Sequence, residues 1–246
     1  MALKSSADVG FLLLGGKSVL AAPLKTINET RERLMEQSDG LGDSDDKWSP
    51  VGVGTFEMTQ EGFFDSGTNL YHQALEAADP QVLMYAPLGN VIGDHLTGLS
   101  AVRTSYAVLP ARGAFHKANA TYRAETGPEK LGNTRITAHH VARTTAGPTD
   151  TASYNWLASS ANGGVGYLGV SALTLGGYTS VTVAIRDSTD DITFADLITF
   201  TAVTAAPTAE RKTVTGTIDQ YTLTRHTFNG AGTGQSITFA CGLGRN

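Results

Sequence analysis

Between His95 and Glu125 the chain reads HLTGLSAVRTSYAVLPARGAFHKANATYRAE, its longest run of two-residue alternation. Successive side chains of an extended strand point to opposite faces, so this run constrains the fold more tightly than any other stretch. Phe115, Lys117, Asn119, Thr121 and Arg123 fall on one side, and Ala114, His116, Ala118, Ala120 and Tyr122 on the other. One face is polar and the other is small. Such a strand fits a sheet that meets another surface closely at its small face and meets solvent or a neighbouring subunit at the other. Leu99 to Leu109 is more apolar and lies over a core. Leu109-Pro110-Ala111-Arg112-Gly113 between the two halves carries turn chemistry, with φ fixed at Pro and free to turn positive at Gly, so the halves form a hairpin.

The rest of the chain agrees with a mainly β fold. Its 246 residues are 41% hydrophobic and 17% charged, with 28 Gly and abundant Thr, enough for a core in one or two domains and better suited to strands than to helical bundles. A net charge of −5 excludes tight binding to nucleic acid through phosphate neutralisation. Cys241 is the single cysteine and forms no intramolecular disulfide. Near the start, Val9 to Leu14 and Ser18 to Ala22 imitate a secretory signal, but Lys17 interrupts the apolar run. A hairpin turning at Gly15-Gly16 is the better reading. No segment has the roughly 20 apolar residues of a membrane span, so the chain is expected to be soluble and intracellular.

Thr26-Ile27-Asn28-Glu29 matches a capping box, which predicts a short exposed helix over 29–37, followed by an acidic loop. Val51 to Phe64 has strand character, with Glu57 and Glu61 on one side. Asp65-Ser66 caps a helix over 67–78 that Asp79-Pro80 ends, and QVLMYA at 81–86 is a short buried strand. From Glu29 to Asp79 there are twelve acids (Glu29, Glu32, Glu36, Asp39, Asp43, Asp45, Asp46, Glu57, Glu61, Asp65, Glu76, Asp79) against Arg31, Arg33 and Lys47. From His95 to Thr145 seven bases (Arg103, Arg112, Lys117, Arg123, Lys130, Arg135, Arg143) face two acids, Glu125 and Glu129. Such segments pair within one chain or between copies, and the expectation is that Arg103, Arg112, Lys117 and Arg123 meet Glu57, Glu61 and Asp65 across subunits.

After Thr144 the composition changes. The linker-like run from Ala146 to Thr151 is followed by strand patterns at 181–186, 197–203, 211–218, 221–228 and 236–243, a second β-sandwich. The expected domains are 1–148 and 149–246. No chemical site emerges. His139-His140 face opposite ways on a strand, His116 belongs to the small face as a packed residue, and Asp187, Asp190 and Asp191 form a turn without the glycine of a calcium loop. Gly163-Gly164-Val165-Gly166 and Gly176-Gly177 are bends, and Cys241 is a buried thiol. No nucleophile, base and orienting residue come together, so no catalytic residue, metal or cofactor is assigned. Trp156, Tyr154, Tyr167 and Tyr178 either fill the sandwich or stand as stacking platforms for a carbohydrate or receptor.

A strand ending Gln60-Glu61-Gly62-Phe63-Phe64-Asp65, a short helix, an apolar strand and a hairpin closing on Ala111-Arg112-Gly113-Ala114-Phe115-His116-Lys117-Ala118-Asn119-Ala120 together resemble the major tail proteins of long-tailed bacteriophages. The resemblance covers residues 5–145. It implies a tail-tube-like β-sandwich with a flanking helix, six copies closing a ring through shared sheets, and rings stacked into a tube through which DNA leaves. It further implies a location in the virion tail after assembly in the host cytoplasm, and tape-measure, tail terminator and baseplate proteins as partners. The second sandwich resembles accessory domains displayed outside such tubes. On this reading Arg103, Arg112, Lys117, Arg123, Phe63 and Phe64 lie at the subunit interface, and Glu57 and Glu61 face a lumen of net negative charge. Asp43, Asp45, Asp46 and Trp48 touch the next ring.

Overall fold

The computed structural model describes residues 9–19, 24–32, 35–37, 48–50, 55–64, 71–110, 112–125 and 134–246. The fold is mainly β. The first half contains strands β1 (Phe11–Leu14), β2 (Lys17–Ser18), β3 (Leu24–Glu32), β4 (Met35–Gln37), β5 (Trp48–Pro50) and β6 (Thr55–Phe63), helix α1 (Tyr71–Glu76), and strands β7 (Gln81–Ala86), β8 (Thr97–Leu109) and β9 (Lys117–Ala124). The second half follows with β10 (Thr134–Arg143), β11 (Thr149–Asp150), β12 (Tyr154–Asn155), β13 (Gly164–Thr174), β14 (Ser180–Ser188), β15 (Ala195–Thr199), β16 (Thr208–Val214), β17 (Tyr221–Asn229) and β18 (Ser236–Arg245).

One sheet of the first half runs β2-β1-β7-β8-β9-β6-β3. It is two sheets sharing one strand. Thr97 to Ala101 of β8 pair with β7, while Ala101 to Leu109 pair with β9, so only Ala101 belongs to both ladders. The bent strand lets the two parts enclose a core of Leu12, Leu14, Phe56, Met58, Leu83, Tyr85, Leu99 and Tyr122, with Ala74 and Leu75 of α1 filling one side. The sheet curls far enough for Arg31 of β3 to donate to Thr97 Oγ1 of β8 at 3.1 Å.

The second half is a sandwich of sheets β10-β18-β13-β16 and β11-β17-β14-β15 around Leu168, Val170, Val183, Ile185, Phe200, Phe228 and Phe239. The linker-like run is part of it, since Thr149–Asp150 pair with β17. So is β10, which precedes the expected boundary and pairs with β18.

A third apolar cluster joins the halves, made of Phe11, Leu13, Met84, Ala86, Leu96, Ile136, Val165, Tyr167 and Ala240. Sheets therefore stack in four layers. This explains the uninterrupted apolar runs: in β1, Leu12 and Leu14 face the first core while Phe11 and Leu13 face the joint. The signal-like start is a strand buried on both faces, and its hairpin turns at Gly15 and Gly16 with φ of 54° and 84°.

Two expectations about local secondary structure fail. The segment predicted as helix, 29–37, instead holds the end of β3, Glu29 to Glu32, and β4, because Glu29 to Glu32 pair with Met58 to Thr55 of β6 and this ladder outweighs local helix propensity. The run at Gly163 to Gly166 is a bend only at Gly163, with φ of 68°; from Gly164 it is the central strand β13, buried on both faces through Val170. Its glycines are small because both neighbouring sheets come close. A Cβ on Gly166 would lie 2.8 Å from Ile198 Cδ1, and one on Gly169 2.8 Å from Leu13 Cδ1. The turn assignments hold at Gly176 and Gly177, with φ of 59° and 102°, and at Asp190, which accepts from the Ile192 and Thr193 amides and is held down to about 2 by those bonds. Cys241 is fully buried, and burial pushes its thiol up to about 11.

The joint offers a test. A Cβ on Gly98 would lie 2.7 Å from the Tyr167 ring, which is wholly buried, so Gly98→Val is expected to destabilise the chain by about 1–3 kcal/mol in urea unfolding. Tyr167→Phe, which removes a buried hydroxyl without a hydrogen-bond partner, is expected to be neutral or mildly stabilising. A Gly98→Val chain as stable as the original would contradict this packing.

Candidate functional site

Beyond Ala101, β8 has left β7, and among the described residues no strand pairs with the outer edge of Val102 to Leu109. At the other end of β8-β9-β6-β3, none of the described residues pairs with the outer edge of β3. Among the described residues a four-stranded piece of sheet thus ends in two open edges, of eight and nine residues. Such edges are templates for another strand unless charge, proline or a covering element blunts them.

The inner face of this piece is the core side, carrying Phe56, Met58, Ala118, Ala120 and Tyr122. Its outer face is polar, as the alternation requires: β6 shows an exposed Thr55 followed by alternating buried and half-buried residues, and β9 repeats the pattern. Glu57 lies opposite Arg123 and pairs with it at 2.8 Å; Glu61 pairs with Lys117 at 3.0 Å. The partners expected across subunits are thus neighbours in one chain. Adjacent antiparallel strands bring acid and base within reach with no second copy needed. Lys25 adds a base over the Phe63 ring at 5.7 Å, and Glu32 adds an acid opposite Thr55. The outer face therefore balances Lys25, Lys117 and Arg123 against Glu32, Glu57 and Glu61.

The β8–β9 hairpin ends in an apolar tip. Val108 and Leu109 are 40% and 45% exposed and Phe115 is 80% exposed, its ring 5.5 Å from that of Phe63. Arg112 is exposed in the turn, and His116, expected to be packed, is exposed as well, its carbonyl accepting from the Phe64 amide at 2.8 Å. The ladder ends at Lys117, so alternation no longer governs these positions. Phe64 packs on the core and on His72, with ring centroids 4.8 Å apart.

At the other end of the open edge lies a polar cleft lined by Glu76, Arg103, Thr104, Ser105 and Tyr106. His72 of α1 bridges its wall, with Nδ1 2.5 Å from the Tyr106 hydroxyl and Nε2 3.3 Å from Glu76. Burial raises the Tyr106 pKa above its ordinary value, Glu76 adds to the effect and Arg103 opposes it. Arg103 lies over the Tyr106 ring at 5.9 Å, and its Nη1 is buried with no hydrogen-bond partner among the described residues. Periodicity could not show this cleft, because His72 and Tyr106 meet only through tertiary packing. Asp43, Asp45, Asp46 and Asp65 lie outside the described residues. Trp48 opens β5, which pairs with β4.

Elsewhere the aromatic residues considered as platforms make packing contacts within the chain. Tyr167 is wholly buried; Tyr178 packs on Phe228 at 5.4 Å; Trp156 donates to Thr222 at 2.8 Å and lies beneath Arg245 at 5.0 Å. Tyr154 meets Trp156 edge to face at 5.0 Å. Among the described residues no group of three His, Cys, Asp or Glu is placed to hold a metal, and no helix is long and apolar enough to cross a membrane.

No protein-family model matches the chain, and no curated protein matches it. Among solved structures, the tail of an empty GTA particle, from helical refinement with C6 symmetry, has 11% identity over 50% of this chain and 94% of its own, with a TM-score of 0.41. The SPP1 Dit protein, described as a paradigm of the hub adsorption apparatus in phages infecting Gram-positive hosts, has 11% identity over 95% of this chain and 98% of its own, with a TM-score of 0.33. An infectious bursal disease virus structure (Gx strain) has 14% identity over 89% of this chain and 52% of its own, with a TM-score of 0.26. Scores this low establish no common fold.

The ion pairs at the outer face are exposed, and exposed pairs contribute about 0.2–1 kcal/mol each. Lys117→Gln combined with Arg123→Gln is therefore expected to lower the unfolding free energy of the isolated chain by less than about 2 kcal/mol in urea titration. A loss well beyond that would mean that the pairs hold the sheet together.

Proposed function

We propose that this chain is a structural tail protein of a long-tailed bacteriophage, whose copies join edge to edge into rings that stack as a tube for DNA. The observation that carries this reading is the piece β8-β9-β6-β3 with two open edges. With four strands in antiparallel order, β3 runs opposite to β8, so β3 of one copy meets β8 of the next as an antiparallel pair and a closed ring leaves no edge. Such contacts are head to tail. Six copies follow from the resemblance of residues 5–145 to major tail proteins.

Magnitudes favour assembly that depends on concentration and on the apolar tip. An edge of eight residues forms roughly eight hydrogen bonds worth about 1 kcal/mol each, against an association cost of about 4–15 kcal/mol. Edge pairing alone is marginal. Covering Val108, Leu109 and Phe115 at the same contact supplies the remainder.

The core of the first half closes the inner face, so the outer face of the piece lines the bore. Its balanced Lys25, Lys117, Arg123, Glu32, Glu57 and Glu61 leave no basic surface for phosphates to hold. Glu57 and Glu61 then face the lumen as the resemblance implies, with their charges offset by their partners. The sandwich from β10 onward is an accessory unit carried on the far side, and tape-measure, terminator and baseplate proteins meet the tube at its ends. A sugar-binding role for this unit has less support, because its aromatic rings are packed.

Negative-stain electron microscopy and mass photometry of the purified full chain test the proposal. Rings or tubes that appear with rising concentration are expected, and Leu109→Asp combined with Phe115→Asp is expected to abolish them while circular dichroism is unchanged. A chain that stays monomeric at high concentration would overturn the reading.

A further inference from the structure

Resting on the edge-to-edge reading above, we infer that Arg103 is the electrostatic anchor of the contact between copies and takes Glu29 of the neighbouring copy as its carboxylate. Three observations lead there. Arg103 stands on the free part of β8 and is half-buried at the cleft, and among the described residues no carboxylate pairs with its guanidinium although Glu76 lines the same cleft. A half-desolvated guanidinium without a counter-ion is costly to keep, and a carboxylate that a partner brings to its open side lowers that cost.

The second observation is the face on which Arg103 lies. It sits opposite Tyr122, Tyr122 opposite Met58, and Met58 opposite Glu29. Directly opposed residues share a face, so Arg103 points to the inner side, as Ile27, Glu29 and Arg31 do on β3. When β3 is added to the β8 edge, only inner-facing residues can enter the cleft. Glu29 is the carboxylate among them.

The third is the state of Glu29. One carboxylate oxygen pairs with Arg31 and the other accepts from Thr97 at 3.1 Å, and its side chain is 19% exposed. A carboxylate has about four acceptor positions, so it can receive a further guanidinium in the plane of the first. The contact then holds Glu29 between two arginines, one from each copy.

Within one chain the Glu29 carboxylate is held at Thr97, which lies six residues or about 20 Å along β8 from Arg103, too far for a disulfide. The native Cys241 is buried and silent. A mixture of Arg103→Cys chains and Glu29→Cys chains is therefore expected to form disulfide-linked pairs on mild oxidation, while Thr104→Cys with Glu29→Cys links far less. If Glu29→Cys fails to fold, Arg31→Cys replaces it, two residues along on the same face. In parallel, Arg103→Gln is expected to leave thermal melting of the monomer unchanged and to raise the concentration needed for assembly at least tenfold. Absence of the link, or assembly of Arg103→Gln at the original concentration, would overturn the inference and leave ring formation standing. If the unchanged chain forms no rings, the link alone decides, its presence keeping the pair as a two-copy contact and its absence ending it.

Discussion

Strand β8 parts from β7 at Ala101, and most of what is distinctive in the first half depends on that parting. Up to Ala101 the strand is an interior member of a sheet buried on both faces; after it, the same strand is the rim of a sheet with one face in solvent. The physical reason lies in its residues. Thr97, Gly98, Leu99 and Ala101 are small or apolar and buried, whereas Thr104, Ser105 and Ala107 have little apolar surface to hide. A single strand thereby ties a buried region of the chain to an exposed one, and a docked copy would be held by a rigid scaffold.

The stacking of four sheets supplies that rigidity. Continuous apolar runs are costly in solvent and can be satisfied only when both faces are covered, so β1, β7 and β13 settle in the interior. The glycines of β13 and Gly98 reduce the distance between layers to one side chain's thickness. The second half is consequently joined to the first by a buried apolar cluster, and its sandwich extends past the linker-like segment to include β10.

What the sequence showed and hid follows from the same physics. The alternation of Lys117 to Arg123, the strand at Gln81–Ala86 and the hairpin at Gly15-Gly16 were legible because each has a side-chain period or a turn signature. β13 was hidden because glycine has no side chain to display a period, and its role depends on neighbours distant in the chain. The end of β3, Glu29 to Glu32, reads as helix because its mostly exposed residues combine helix formers with a capping box, and only pairing with β6 makes it a strand. The split of acids and bases was visible, but whether the pairs close within a chain depends on register, which composition does not contain. The free edges were invisible for a related reason, since an edge is defined by what is not beside it.

Hydrogen–deuterium exchange compares the edges of isolated and assembled chains directly, because an open edge amide exchanges freely and a paired one does not. If copies join through these strands, peptides spanning 102–109 and 24–32 become protected together on assembly, while outer-face residues of β6 and β9 keep their exchange. Assembled particles in which both edges exchange as fast as in the monomer would contradict edge-to-edge joining.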